Sequence, residues 1–521
     1  MFTSPVARLA PVALIALLTA CGHAAPAMAP ALQPTDQPGT LAQGVFRKSG
    51  DHPTPSQIAA EVSLKARAYL LAQQDGATGG WSVPQKPGQP HLPAITALVL
   101  NGLLMDPEVD KADEAIAKGV QYILSHQKPD GGIYDTILPS YNTAISISAL
   151  VRVDSAQARD AVARATAFLK QSQWGAANPV GVGGAGGKES PATVTKDHAF
   201  YGGWGYGNRG RPDISNTGFA LQALRDADVA PSDEAFQRAI VFLQRCQMLE
   251  SATGPGGAIM SVNDQLYAKG SSQGGFIYAT AENEQTVGLG QSFAGNIDET
   301  LSDGTTASKL RSYGSVTYIG FKSYIYAGLT AEDPRVQAAV RWLGDNYSLA
   351  ENPGIGSDGY YYFMLMMARA LHARGEDYLP VTGLAPLRSS IIVRAQPGTT
   401  GEPIAWDKLL DGRAKVAAVL SVPGVSPMEA DDVRQIVLAS DDDTAKAWSA
   451  LRTMRVNGWP VAVTAQPVLI SDPGAWRTDM VLRLASLQQA DGSFAVMDDR
   501  WMENNPQLVT AYALLALQHA R

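Results

Sequence analysis

From about residue 57 to the end of the chain, a segment with apolar residues at three- and four-residue spacing is repeatedly followed by one that is apolar almost throughout. The first such unit runs through residues 66–73, a glycine turn ending at Trp81, and then 92–100. The others pair 120–127 with 141–150, 165–169 with 218–224, 239–243 with 313–328, 336–343 with 360–368, and 481–488 with 505–517. Apolar residues on one stripe predict an amphipathic helix, and apolar residues all round predict a helix buried on every side. Where the periodic member ends in Gln-x-x-Asp-Gly, as at Gln127 to Gly131 and Gln488 to Gly492, the glycine stops the helix. The pattern therefore predicts an all-α protein of six helical hairpins in two layers. Closed into a ring, it dispenses with the polar end caps that an open solenoid needs.

The stretch 384–472 has a different character. Ser390-Ile-Ile-Val-Arg394 and Val461-Ala-Val-Thr-Ala465 predict strands, and 431–437 and 445–454 predict helices, so a small α/β insertion is expected between the fifth and sixth pairs. The division expected is a leader over 1–20, a tether over 21–56 rich in Ala, Pro, Gln and Thr, the helical body over 57–383 and 473–521, and the insertion over 384–472.

Composition narrows the function classes. Hydrophobic residues at 45% and charged residues at 17% describe a chain with a sizeable core. A formal net charge of -8 with no Lys/Arg cluster argues against nucleic acid as a partner. Near the start, Leu18-Thr19-Ala20-Cys21-Gly22 follows a short apolar run and is similar to a bacterial lipoprotein box, in which Cys21 would carry the lipid. An ordinary secretory leader cut near Ala29 is the alternative. Either reading predicts export; the first predicts anchoring through the N-terminal lipid, with Gly22 favouring an outer membrane and a periplasm-facing body. Cys246, the other cysteine, falls in a helix-like stretch and reads as a buried thiol.

The segment Tyr201-Gly-Gly-Trp204-Gly-Tyr206, continuing to Pro212-Asp213-Ile214-Ser215-Asn216-Thr217, is the strongest copy of the repeat. It resembles the terpenoid cyclase and prenyltransferase repeat family, the α/α toroids that include squalene-hopene cyclase. Further runs, 310–318, 351–354 and Arg500-Trp501-Met502-Glu503, resemble uncharacterised bacterial members. The resemblance implies an α/α toroid of two concentric layers with a central cavity. In the family's cyclases the matching run reads Pro-Asp-x-Asp-Asp-Thr, and its central Asp protonates an alkene. Here Ser215 and Asn216 stand in place of that acid and its neighbour. Neither a hydroxyl nor an amide supplies the strong acid an alkene demands, so Asp213 is left as the candidate catalytic acid.

If inner helices begin at a cavity mouth, their first turns supply its lining. Tyr141, Asn142, Tyr201, Trp204, Ser215, Asn216, Tyr313, Ser315, Thr317, Tyr318, Lys322, Tyr361 and Glu503 are then the candidate ligand-binding residues. The Ser and Asn among them, like Asp213 and Asn505 nearby, also suit helix caps, notably Asn142, Ser215 and Asn505, and the aromatics also suit ordinary packing. Aromatic walls fit isoprenoids and sugars alike. The histidines show no metal-ligand spacing, so neither metal nor cofactor is expected. Three readings remain: a lipid-anchored binding or scaffold protein for an isoprenoid, glycan or peptide; a divergent cyclase-type enzyme using Asp213; and a polysaccharide-active enzyme using rim tyrosines.

Overall fold

A computed structural model describes residues 55–176, 194–207, 211–380 and 475–521, together with the backbone of four strands between 390 and 467. The leader, Cys21, the tether and the two helices expected at 431–437 and 445–454 lie outside the described residues.

Among the described residues, twelve α-helices alternate between two kinds. The odd-numbered set is α1 (Pro55–Ala72), α3 (Glu114–Ser125), α5 (Ala156–Gln171), α7 (Glu234–Cys246), α9 (Pro334–Asp345) and α11 (Trp476–Leu487). The even-numbered set is α2 (Pro93–Met105), α4 (Pro139–Leu150), α6 (Ile214–Asp226), α8 (Gly314–Tyr326), α10 (Tyr360–Arg374) and α12 (Pro506–Ala520). Helix α3 buries one stripe, from Ile116 through Val120 to Ile123, whereas α2 buries every residue from Pro93 to Leu104. The difference matches their surroundings: α2 packs on α4 and α12 as well as on α3. The even helices contact one another in order, α2 to α4, α6, α8, α10 and α12, and α12 packs back on α2.

The odd helices are tied by a recurring glutamine. Each of these amides stands one or two residues past the end of an odd helix and donates twice through Nε2. Gln74 reaches the Gly79 carbonyl and the Ala115 carbonyl on α3, both at 2.8 Å. Gln127 repeats this with Gly131 and Ala161, Gln173 with Gly202 and Ala235, and Gln247 with Gly274 and Arg335. Gln488 bonds Gly492 and, at 2.9 Å, the Val62 carbonyl of α1, joining the last hairpin to the first. One bond of each pair takes the carbonyl of a turn glycine, and the other adds a second donor to a carbonyl inside the neighbouring odd helix, which fixes the two helices against each other. Gln507 Oε1, which accepts from the Ser82 amide at 2.7 Å, makes a second link across the same seam. The turn glycine beside each glutamine permits this closeness: Gly202 has φ +88°, and a Cβ there would stand 2.0 Å from the Arg238 carbonyl oxygen.

A threonine in the first turn of four even helices accepts the amide of the turn before it. Thr96, Thr143, Thr217 and Thr317 take the N–H groups of Trp81, Ile133, Trp204 and Phe276 at 2.9 to 3.0 Å.

The connection from α7 to α8 carries two antiparallel hairpins, β1 (Ser251–Thr253) with β2 (Ile259–Ser261) and β3 (Asn296–Thr300) with β4 (Thr306–Leu310). Their polar, largely exposed residues give no apolar alternation from which to expect strands. Between residues 390 and 467, β5 (Ser390–Pro397) and β8 (Trp459–Pro467) cover the two expected strand segments. With β6 (Ala417–Leu420) and β7 (Arg455–Val456) they form a sheet of order β6-β5-β8-β7, where β5 runs parallel to β6 and antiparallel to β8. No described helix is long and apolar enough to cross a membrane.

Candidate functional site

The first turns of the even helices meet at one end of the fold, and each brings backbone N–H groups that need acceptors. Asp213 is the N-cap of α6: its Oδ1 accepts from the Asn216 amide at 2.9 Å and its Oδ2 from Asn216 Nδ2 at 2.8 Å. Asn505 caps α12 in the same way, through the Gln507 amide. Three other helices are capped by a neighbour. Asn142 of α4 accepts from the Ala94 amide of α2 at 3.1 Å, and Asn352 accepts from the Ser315 amide of α8 at 2.9 Å. Glu503, just ahead of α12, accepts from the Tyr361 and Tyr362 amides of α10 at 3.1 and 2.8 Å, one on each oxygen. Two carboxylates therefore sit on the positive ends of helices, where negative charge is favoured.

Between these ends lies a cavity of about 130 Å³. Tyr141, Tyr206, Phe219 and Tyr512 form one part of its wall, and Tyr278, Phe293, Tyr313 and Trp501 another, with Leu92, Ile95, Leu138, Met502 and Leu508 filling between. The rings pack edge to face or tilted, Tyr141 on Phe219 at 5.4 Å and Tyr278 on Phe293 at 4.7 Å between centroids. Tyr206 pairs its hydroxyl with Tyr278, and Tyr141 with Tyr512. The polar lining is Ser215, Asn216, Ser315, Tyr362 and Glu503. Asn216 Oδ1 is buried without a hydrogen bond, and the buried Tyr362 hydroxyl has only the Ser215 side chain beside it.

Burial governs the titration of the two acids. It pushes the fully buried Glu503 up to about 7, against the opposing pull of the α10 amides. It also raises Asp213, opposed first by Arg211, whose Nη1 lies 3.7 Å from Oδ2, and then by the bonds from Asn216. Arg211 itself lies over the Tyr278 ring at 5.0 Å.

Trp501 forms part of the rim and is 39% exposed. Its φ is 55° and that of Met502 is 68°, two successive left-handed residues of a kind that costs a non-glycine about 1–2 kcal/mol each. Arg500 holds the turn, lying over Trp501 at 4.5 Å and Phe293 at 5.1 Å and pairing with Asp358.

Of the residues singled out in the sequence, Tyr141, Ser215, Asn216, Tyr313, Ser315 and Glu503 line the cavity. The others stand elsewhere. Trp204 is in the core with Nε1 on the Leu169 carbonyl, Thr317 accepts from Phe276, and Asn142 is fully enclosed as the cap of α2. Tyr318 is buried beside Phe363, Tyr361 donates its hydroxyl to the Ala495 carbonyl, and Tyr201 packs on a small cluster with Trp174 and Phe200. Lys322 lies two turns further along α8, about 10 Å from Ser315 at 1.5 Å per residue. Asp213 is behind Asn216, fully buried and outside the lining. As for the caps, α6 takes Asp213 in place of Ser215, and Asn142 serves a neighbouring helix in place of its own. Tyr278, Phe293 and Met502 were not among the candidates, because they come from the hairpin-bearing connection and an irregular turn outside the helical repeat.

Fold and cavity together define a double-layered helical protein with an aromatic pocket at the starts of its even helices. No family model and no curated protein matches the chain. Among solved structures it is similar to the type II terpene cyclase MstE from Scytonema, at 12% identity over 89% of this chain and 98% of that one, with a TM-score of 0.39. A variant of that enzyme holding its product, merosterolic acid A, aligns at 12% identity over the same shares with a TM-score of 0.38. Another, holding the substrate geranylgeranyl dihydroxybenzoate, aligns at 15% identity over 61% of this chain and 78% of that one, with a TM-score of 0.33. At these values the likeness gives no residue of this chain a role.

Proposed function

We propose that the protein is an α/α toroid whose aromatic cavity, at about 130 Å³ too small for a whole long-chain isoprenoid, binds the hydroxyl end of such an amphiphilic ligand, with the rest of the chain leaving past the exposed Trp501, and does not cyclise it. The observation that carries this reading is an aromatic wall whose lining also holds the unpartnered Asn216 Oδ1 and the Tyr362 hydroxyl, which has only Ser215 beside it. Such a surface accepts an apolar body and one hydroxyl, which donates to Asn216 and accepts from Tyr362. The acids support binding over turnover. Asp213 has both oxygens engaged and does not reach the cavity, while Glu503, raised to about 7, is far too weak an acid to protonate an isolated alkene. The leader and Cys21 motif support an exported, lipid-anchored setting for this binding.

The test is titration of the purified protein with all-trans-geranylgeraniol, following quenching of Trp501 fluorescence against a Trp501→Phe control, with product analysis after prolonged incubation. Saturable quenching that the control lacks, with alcohol recovered unchanged, is expected. Cyclic product above a protein-free blank would overturn the non-catalytic reading, and absence of saturable quenching would overturn the ligand class.

A further inference from the structure

The opposite end of the even helices holds buried cations without carboxylates to match them. Lys322 of α8 and Arg369 of α10 are 1% and 4% exposed. Lys322 Nζ donates to Gln222 Oε1 at 2.7 Å and lies 5.2 Å from the Tyr326 ring centre. Among the described residues neither cation has an ion pair, and Arg369 Nε is buried with no hydrogen bond. Arg152, in the turn after α4, has its Nε buried and unpaired as well, and so does Nδ1 of His519 on α12. The carboxylate whose field reaches both Lys322 and Arg369, Asp226, is part-exposed and accepts from Gln222 Nε2 at 3.0 Å. Four elements thus bring positive or unpaired donor groups to one place. Around the two buried cations, Arg152, Tyr326 and His519 are only partly covered.

A charge buried without a partner is among the most expensive features a fold can carry. The expense here is visible as unfavourable effects on each group: burial and then Arg369 push Lys322 well down, and burial, then Arg369, His372, Arg152 and Lys322, push His519 well down. The negative ends of the even helices offset part of this charge, but they offer no acceptor to the Arg369 and Arg152 Nε atoms. An oxyanion would satisfy charge and donors together, since a guanidinium fork matches the oxygen geometry of phosphate. We propose that Lys322, Arg369 and Arg152 form a phosphate-binding site at the end of the toroid opposite the aromatic cavity.

The full exported chain is tested by thermal unfolding and titration calorimetry with sodium phosphate, against sodium chloride at equal ionic strength. Glycerol 3-phosphate forms a parallel arm. Phosphate at a hundred times its dissociation constant is expected to raise Tm by several degrees over chloride. Arg369→Met and Lys322→Met are expected to lose this rise, and Arg369→Met to match or exceed the anion-free wild type in Tm, because it removes an uncompensated charge. A rise with inorganic phosphate alone identifies a free anion, and a larger rise with glycerol 3-phosphate identifies a phosphomonoester. Equal Tm in phosphate, glycerol phosphate and chloride for the wild type overturns the proposal, whether or not the variants fold. So does an unchanged phosphate response in both variants.

Discussion

Replacing Glu503 with glutamine removes one titration from the cavity wall, and its effect can be worked from the geometry. Glu503 is fully buried, and burial lifts it from an ordinary 4.5 to about 7. Because the folded value lies above the unfolded one, the associated stability is fully present below about pH 4.5 and is lost as pH rises through about 7. That interval corresponds to roughly 3 kcal/mol. In Glu503→Gln the amide oxygen still accepts the Tyr362 N–H, but the amide NH₂ faces the Tyr361 N–H that now bonds the second oxygen at 3.1 Å. Near pH 4 the wild-type side chain is neutral in the folded state and mostly neutral in the unfolded one, so the variant is expected to be less stable there by about 1 kcal/mol. By pH 5 ionisation of the unfolded wild type has removed most of that difference, and by pH 8 the wild type has given up roughly 3 kcal/mol that the variant keeps, so the order reverses. Urea unfolding of both proteins at half-unit steps from pH 4 to 8 measures the difference. Other groups, such as Asp479, raised to about 6 by burial against Tyr347, titrate in both proteins and cancel. Parallel stability curves would refute the reasoning, showing that Glu503 is solvated or stays charged throughout.

Three further outcomes follow from the same geometry. Gln488→Leu removes both bonds of the seam amide, and urea unfolding is expected to show a loss of about 1–3 kcal/mol, where Lys65→Ala on the surface shows almost none. Gly202→Ala, with φ +88° and a Cβ driven onto the Arg238 carbonyl, is expected to prevent recovery of soluble protein, whereas Gly256→Ala, with φ +76° but open space, costs only about 1–2 kcal/mol by thermal unfolding. Tyr362→Phe deletes a buried hydroxyl that has only Ser215 beside it, so Tm is expected to change little while affinity for geranylgeraniol falls about tenfold in the fluorescence titration.

The sequence displayed what is local and periodic. Stripe and all-round apolar patterns marked both helix sets, and Gln-x-x-Asp-Gly marked the ends of the odd helices. The second use of those glutamines was hidden, since the carbonyls of Ala115, Ala161 and Val62 are brought within reach only by packing. The same holds for the caps. Asn142 and Glu503 look like residues serving their own helix starts, but their acceptor atoms face α2 and α10. Lys322 looked like part of the mouth because it lies in the same apolar run as Ser315; seven residues of helical rise carry it to the far end. Trp501 and Met502 reach the cavity through two left-handed residues, a backbone choice that their side chains disfavour and that no residue pattern announces.

The glutamine clasp between the first and last hairpins has a temporal side. Val62 and Gln488 are 426 positions apart, so at a synthesis rate of about 5–20 residues per second α1 waits roughly 20 to 90 s for its partner. Until α11 and α12 leave the ribosome, the flanks of α2 and α10 that α12 will cover remain bare apolar surface. Such a chain is held open for its whole synthesis, a demand on chaperones set by closure and independent of how stable the finished protein becomes.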